Sequence, residues 1–250
     1  MNEVTKFKDV LSDMVSRSAK AFPADVNSER LKINALMYIA QNPDLNVLAK
    51  SQPLKIAQYV YNFIALGLDM LNRECYIIPY KNQLTVLKDY KGEVKLAKKY
   101  SVEKIREIYA RVVYERDEYY FEDNKFVHKF DPFKTDRGNK IGAFCTVIYE
   151  NGVQQTEFVN INEVNKVKAV SQSAKSEYSP WAKWEDEMWK KTVIRKAMKN
   201  ISLDFTNSEL QNAYIQSEND VSFEPRKQAD EVIEQPDVFD DEEEVSLDDL

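Results

Sequence analysis

The chain has 250 residues, 43% of them hydrophobic, enough for one large domain or two small ones whose core needs no metal or disulfide to hold it. The formal charge of −7 conceals a split: residues 217–250 hold 14 of the 42 acidic and 2 of the 35 basic side chains, leaving 33 basic against 28 acidic, a net of +5, in residues 1–216. Charged residues near the start (Glu3, Lys6, Lys8, Asp9) exclude a secretory signal, and the longest uncharged apolar run, Ile56 to Leu68, is too short for a bilayer, so a cytoplasmic protein with a polyanionic partner and no membrane is expected.

Val4 to Lys20 reads as a short amphipathic helix, and Ser28 followed by Leu31, Leu36, Tyr38 and Ile39 as a second, stopped before Pro43. Pro53 suits the first turn of a third helix that runs through Ile56, Val60, Phe63 and Ile64 to Gly67, with the spacing of a buried face. From Cys75 the period becomes 2. Cys75 to Tyr80 and Leu84 to Leu87, joined by Lys81-Asn82, read as a β-hairpin, and Asp89 to Tyr100 as the helix after it. Strands are expected at Ile105 to Tyr114, Glu118 to Glu122, Lys125 to Phe130, Ile141 to Tyr149 and Val153 to Val159, the last two joined by Asn151-Gly152.

Ser171 to Ser179 reads as a polar, mobile connector, and Ser179-Pro180 as cap and first turn of a long helix ending near Asn200. The fold class is therefore α+β: antiparallel hairpins and sheet packed by helices, followed by a disordered acidic C-terminal tail. Residues 1–205 form the expected core, and 206–250 a short helical segment around Leu210 to Ile215 with the tail. The tail is a solubilising appendage, a docking peptide or an internal competitor for the basic surface; composition leaves the choice open. Cys75 and Cys145 fall in strand-like runs as buried thiols, and His128, the single histidine, reads as structural.

At 100° per residue, Tyr90, Val94, Leu96, Ala97 and Tyr100 share one side of their helix while Lys91, Lys95, Lys98 and Lys99 occupy a narrow arc on the other. Lys81 and Lys88 on the hairpin, with Arg106 and Arg111 on the next strand, extend the same sign of charge, as a groove that tracks phosphates requires. In the Pro180 to Asn200 helix, Trp181, Trp184, Met188, Lys191, Arg195 and Lys199 recur at steps of three and four, a stripe running from aromatic to basic, with Lys190 and Lys196 beside it. Trp189, Val193 and Ala197 face the opposite way as a core anchor. Most of the Tyr and Phe side chains are core; Tyr80, Tyr90 and Tyr114 lie beside basic positions and are the candidates to stack on unpaired bases.

The five glycines cannot build G-x-x-x-x-G-K-[ST] or G-x-G-x-x-G, so no standard phosphate-cradling loop exists and ATP-driven chemistry is not expected. Neither catalytic nor metal-ligating residues are assigned, and no cofactor is expected beyond a divalent cation that modulates DNA binding. One enzyme reading stands as an alternative: Glu93-Val94-Lys95 matches the E-x-K piece of metal-dependent nucleases, with Asp69 or Asp89 as second carboxylate, although those enzymes carry it on a strand and here it falls on an amphipathic helix. A passive protein that coats single strands is the other alternative.

The chain resembles the RecT family of phage-type single-strand DNA annealing proteins. The resemblance rests on Leu66-Gly67-Leu68-Asp69, Tyr76-Ile77-Ile78-Pro79-Tyr80, Asp89-Tyr90-Lys91-Gly92-Glu93, Ala110-Arg111-Val112-Val113-Tyr114, and Pro180-Trp181 through Met188-Trp189-Lys190-Lys191-Thr192-Val193-Ile194-Arg195-Lys196, in family order over roughly residues 25–205. It implies a mixed α/β core, rings or helical filaments of many subunits, and ATP-independent annealing of complementary strands into duplex in homologous recombination. It also implies work with a 5′→3′ exonuclease and a host single-strand binding protein in a bacterial cell. Two departures from the family pattern, Asp89-Tyr90-Lys91-Gly92 where Gly-Tyr-Arg-Gly is common and Asp69-Met70-Leu71-Asn72 where a Gly- and Pro-containing turn is common, leave the basic character intact.

Overall fold

The computed structural model describes residues 6–80, 83–123 and 125–218, which divide into two compact units: residues 6–92 with 205–218, and residues 93–204. Both contain helices and antiparallel strands, the α+β class read from the sequence.

The first unit is helical around one apolar rod. Helices α1 (Phe7–Arg17), α2 (Ser28–Ala40), α3 (Pro43–Ser51) and α9 (Ser208–Glu218) pack around α4 (Pro53–Leu66). In α4, Ile56, Val60, Phe63, Ile64 and Leu66 are each at most 1% exposed; full burial of such a side chain is worth about 1.5–3 kcal/mol. Pro53 begins α4, and Gly67 ends it in the left-handed conformation (φ 78°), its N–H bonding the Ile64 carbonyl and that of Leu68 the Phe63 carbonyl. Helix α3 was not anticipated. Pro43 does end the reach of α2, yet it also serves as the first residue of α3, with the Asn42 side chain accepting from the Leu45 N–H at 3.3 Å.

After α4 the chain turns on Asp69, a buried carboxylate that accepts from Arg30 Nη1 and Asn34 Nδ2, each at 2.8 Å, and from the Leu71 N–H at 3.0 Å. The hairpin of β1 (Cys75–Tyr80) and β2 (Gln83–Lys88) follows in the expected register, Cys75 opposite Lys88. It leads into α5 (Tyr90–Tyr100). Gly92 lies inside that helix for a steric reason: a Cβ there would fall 2.2 Å from the Glu74 carbonyl oxygen.

The second unit is a three-stranded antiparallel sheet of order β3 (Ile105–Tyr114), β6 (Lys140–Tyr149), β7 (Gln154–Asn160). The Asn151-Gly152 turn joins β6 to β7 as the sequence indicated, Gly152 adopting φ 84°. Alternate residues Ala143, Cys145 and Val147 of β6 meet Trp189, Val193 and Ala197 of α8 (Glu185–Lys199) on one face. Helix α6 (Ile161–Val170), unread from the sequence, buries Val164 in the same core and carries a capping box between Asn160 and Glu163. The opposite face is covered by a separate hairpin, β4 (Glu118–Glu122) with β5 (Lys125–Lys129).

The long helix expected from Pro180 to Asn200 is two. Ser179 caps α7 (Pro180–Lys183) as anticipated, but Trp184 adopts φ −133° and ψ 48°, outside helical geometry, and α8 begins after it. Of the expected connector, Gln172–Lys175 forms a 3-10 turn. The segment after 205 forms α9 within the first unit, whereas the acidic tail beyond residue 218 lies outside the described residues. Both cysteines are free and buried, and burial pushes the Cys145 thiol up to about 12, where it is inert.

Candidate nucleic-acid interface

Helix α5 sorts its side chains as its periodicity requires. Leu96, Ala97 and Tyr100 are buried, Lys91 and Lys98 are exposed, and Lys95 and Lys99 are half-buried. A half-buried lysine lays its stem along apolar surface, and Lys99 Nζ lies 5.4 Å from the Tyr100 ring. Tyr90, at the first position, is half-buried.

On α8 the basic residues separate into different roles. Lys196 Nζ donates to the Phe158 carbonyl at 2.8 Å and to Glu163 Oε1 at 2.9 Å, tying α8 to β7 and to the start of α6; it is a structural clamp in this fold. Lys190 pairs with Glu187 one turn earlier. Arg195 Nε lies 3.6 Å from Glu93 Oε1, joining α8 to α5. Lys191 is half-buried and Lys199 exposed. The aromatic start of the expected stripe does not survive: the break at Trp184 sends Trp181 into the core at 2% exposure and leaves Trp184 outside at 66%.

Hairpin and strand positions differ from their sequence reading too. Lys88 is buried at 3% exposure, its Nζ 3.8 Å from the Tyr214 ring, so cation–π contact in the first unit takes the place of a surface position. Lys81 lies outside the described residues, as does the Tyr80 side chain. Arg111 is exposed on β3, its guanidinium 5.3 Å from the Phe130 ring and 5.7 Å from that of Tyr109. Tyr114 is engaged internally: its hydroxyl donates to Asp186 Oδ2 at 2.5 Å, and burial together with that bond pushes its pKa up to about 12. Asp186 also holds Lys140 Nζ at 2.8 Å, and Lys140 reaches Glu185 at 2.6 Å. This acidic start of α8 is thus fastened to β6, with favourable polarity at a helix N-terminus.

The carboxylates of the nuclease alternative hold the fold. Glu93 meets Arg195, Asp69 is saturated by Arg30, Asn34 and backbone N–H groups, and Asp89 accepts from the Lys91 N–H at 3.3 Å. Among the described residues no group of three or more His, Cys, Asp or Glu side chains is placed to hold a metal ion. His128, as expected, is structural. Its Nε2 lies 2.8 Å from Asp117 Oδ2, and Asp117 also accepts from Arg137 Nε at 2.8 Å and from the Tyr114 N–H at 2.9 Å. Tyr119, Phe121 and Phe158, all exposed, carry no sequence assignment above; the available signal for the first two was the aromatic run Tyr119-Tyr120-Phe121.

The family model for RecT matches residues 29–233, from α2 to beyond α9. The chain belongs to the RecT family. A curated relative, "Protein RecT" of Escherichia coli (strain K12), is 24% identical over 233 residues, covering 86% of this chain and 82% of the relative. As a RecT-family member the chain is a single-strand annealing protein of DNA recombination, and its ligand is single-stranded DNA. Within the RecT motifs, Gly67 and Gly92 answer to backbone geometry, Asp69 and Trp189 to burial, and Lys91 to solvent. Among the described residues no helix is long and apolar enough to cross a membrane.

Proposed function

We propose that this RecT-family protein anneals complementary strands without ATP, assembling as a ring or helical filament along single-stranded DNA. The observation that carries the reading is the lysine face of α5, opposite a fully buried Leu96 and Ala97 and fastened to the basic helix α8 through Glu93 and Arg195. Such a surface binds phosphates without reading sequence. A filament that holds one strand by its phosphates offsets part of the ordering entropy of pairing and screens the repulsion of the incoming backbone. A matched strand persists and a mismatched one leaves, with no bond made or broken and no cofactor consumed; a divalent cation would only modulate DNA binding.

In the cell the protein would act in the bacterial cytoplasm on single strands produced by a 5′→3′ exonuclease and held by the host's single-strand binding protein. The test mixes complementary oligonucleotides with the protein in the absence of ATP and follows pairing and particle mass together. Faster pairing in large particles supports the proposal. Slower pairing with tight binding marks a passive coating protein, and Mg²⁺-dependent shortening of the strands, abolished in Glu93→Ala, marks a nuclease.

A further inference from the structure

We propose that the aromatic face of the β4–β5 hairpin, with Phe158 and Arg111, is a stacking site for unpaired bases of single-stranded DNA. This rests on the single-strand binding described above and adds a place where bases, not phosphates, are held. The register sets Tyr119 opposite His128 and Phe121 opposite Phe126, so these four share one face of the hairpin. That face lies on the side of the sheet away from α8, where Arg111, Phe144 and Phe158 form one row across β3, β6 and β7.

The rings grade from interior to open water. Phe144 is 1% exposed; Phe126 sits 4.9 Å from both Phe144 and Phe158; Phe121 lies 5.4 Å from Phe126 and 6.0 Å from Phe158. At the outer end Phe121 is 68% exposed, Tyr119 48% and Phe158 36%. The inner rings already fill the core through tilted and edge-to-face contacts, and the outer ones extend the same cluster into solvent, where a further ring can be accepted. The hairpin is tied to its surroundings through the buried Asp117, which binds His128 of the hairpin and Arg137 of the following segment.

Charge selects the occupant. On the hairpin's outer face Lys129 pairs with Glu118 at 3.5 Å and Lys125 stands opposite Glu122, so charge there is balanced. On the aromatic face Arg111 lies beside the rings of Tyr109 and Phe130, and no carboxylate pairs with it among the described residues. Arg111 is exposed and stands in the same sheet row as the exposed Phe158, an arrangement that fits single-stranded DNA, whose bases stack on rings while its phosphates meet the cation; an apolar protein surface would leave that charge without a partner.

The experiment compares binding of a thymidine oligonucleotide and an abasic deoxyribose-phosphate oligomer of equal length by the wild-type protein, Phe121→Ala and Phe121→Leu. Phe121 is so exposed that neither change threatens folding. Both variants are expected to lose about tenfold in affinity for the thymidine strand per stacked base while binding the abasic strand as the wild type does. Equal affinity of wild type and variants for the thymidine strand, or an equal loss on both ligands, overturns the stacking site. A drop in particle mass without DNA overturns it too, making the patch a contact between copies of the chain. A wild-type protein that binds neither ligand overturns the single-strand reading itself.

Discussion

Arg195 on α8 lies with its Nε 3.6 Å from Oε1 of Glu93 on α5, so two segments more than a hundred residues apart in the RecT motif set meet through one ion pair. Glu93 is 11% exposed and Arg195 27%, which keeps solvent screening modest. If Arg195 also meets phosphate, Glu93 competes with DNA for it. Arg195→Ala should weaken single-strand binding and flatten the dependence of log affinity on log salt by about 0.7 for the lost contact. Glu93→Gln should bind at least as tightly as the wild type. Salt titrations of both variants check this, and an equal loss in the two would assign the pair a purely structural role.

Lys196 should behave in the opposite way. Its bonds to Glu163 and to the Phe158 carbonyl anchor the start of α6, so Lys196→Ala is expected to cost about 0.5–1.5 kcal/mol of stability and to leave the salt slope of DNA binding unchanged. Thermal unfolding read beside the DNA titration separates the two effects.

The Asp117 carboxyl, 1% exposed, feels burial that raises its pKa, but the Arg137 fork, the Tyr114 N–H and His128 outweigh burial and hold it below its usual value. A folded-state pKa below the unfolded value contributes stability fully present above about pH 4 and lost as pH falls through the folded value. Asp117→Asn should therefore be destabilised by about 3 kcal/mol at neutral pH and lose less further stability on acidification below about pH 4. Denaturant titrations at a series of pH values provide the measurement.

The two neighbouring tryptophans should part company. Trp181→Ala empties a buried site and is expected to cost about 3–5 kcal/mol, whereas Trp184→Ala should stay within about 0.5 kcal/mol. Chemical denaturation of the pair tests the helix break directly, because an unbroken helix would place both on one stripe.

Where a structural feature depends on a few adjacent residues, it was legible. Gly67 as a helix stop, Pro53 as a helix start, the Asn151-Gly152 turn and the strand periods all appear where their local chemistry places them. Pro43 shows the limit of such signals: the same residue ends one helix and begins the next, and only the Asn42 cap, seen in three dimensions, reveals α3. Trp184 shows another, since its spacing continues the helical stripe although its backbone does not.

The sequence by itself determined the charge division, the α+β alternation of periods and the ordered motifs of the RecT family, because each follows from residue type and near-neighbour spacing. Which cations face solvent was decided only by tertiary structure. Lys88 goes beneath Tyr214, Lys196 to Glu163 and Arg195 to Glu93, while Lys91 and Lys98 stay outside. A side chain's charge is set by its own chemistry, but its availability is set by neighbours that the fold brings from distant parts of the chain.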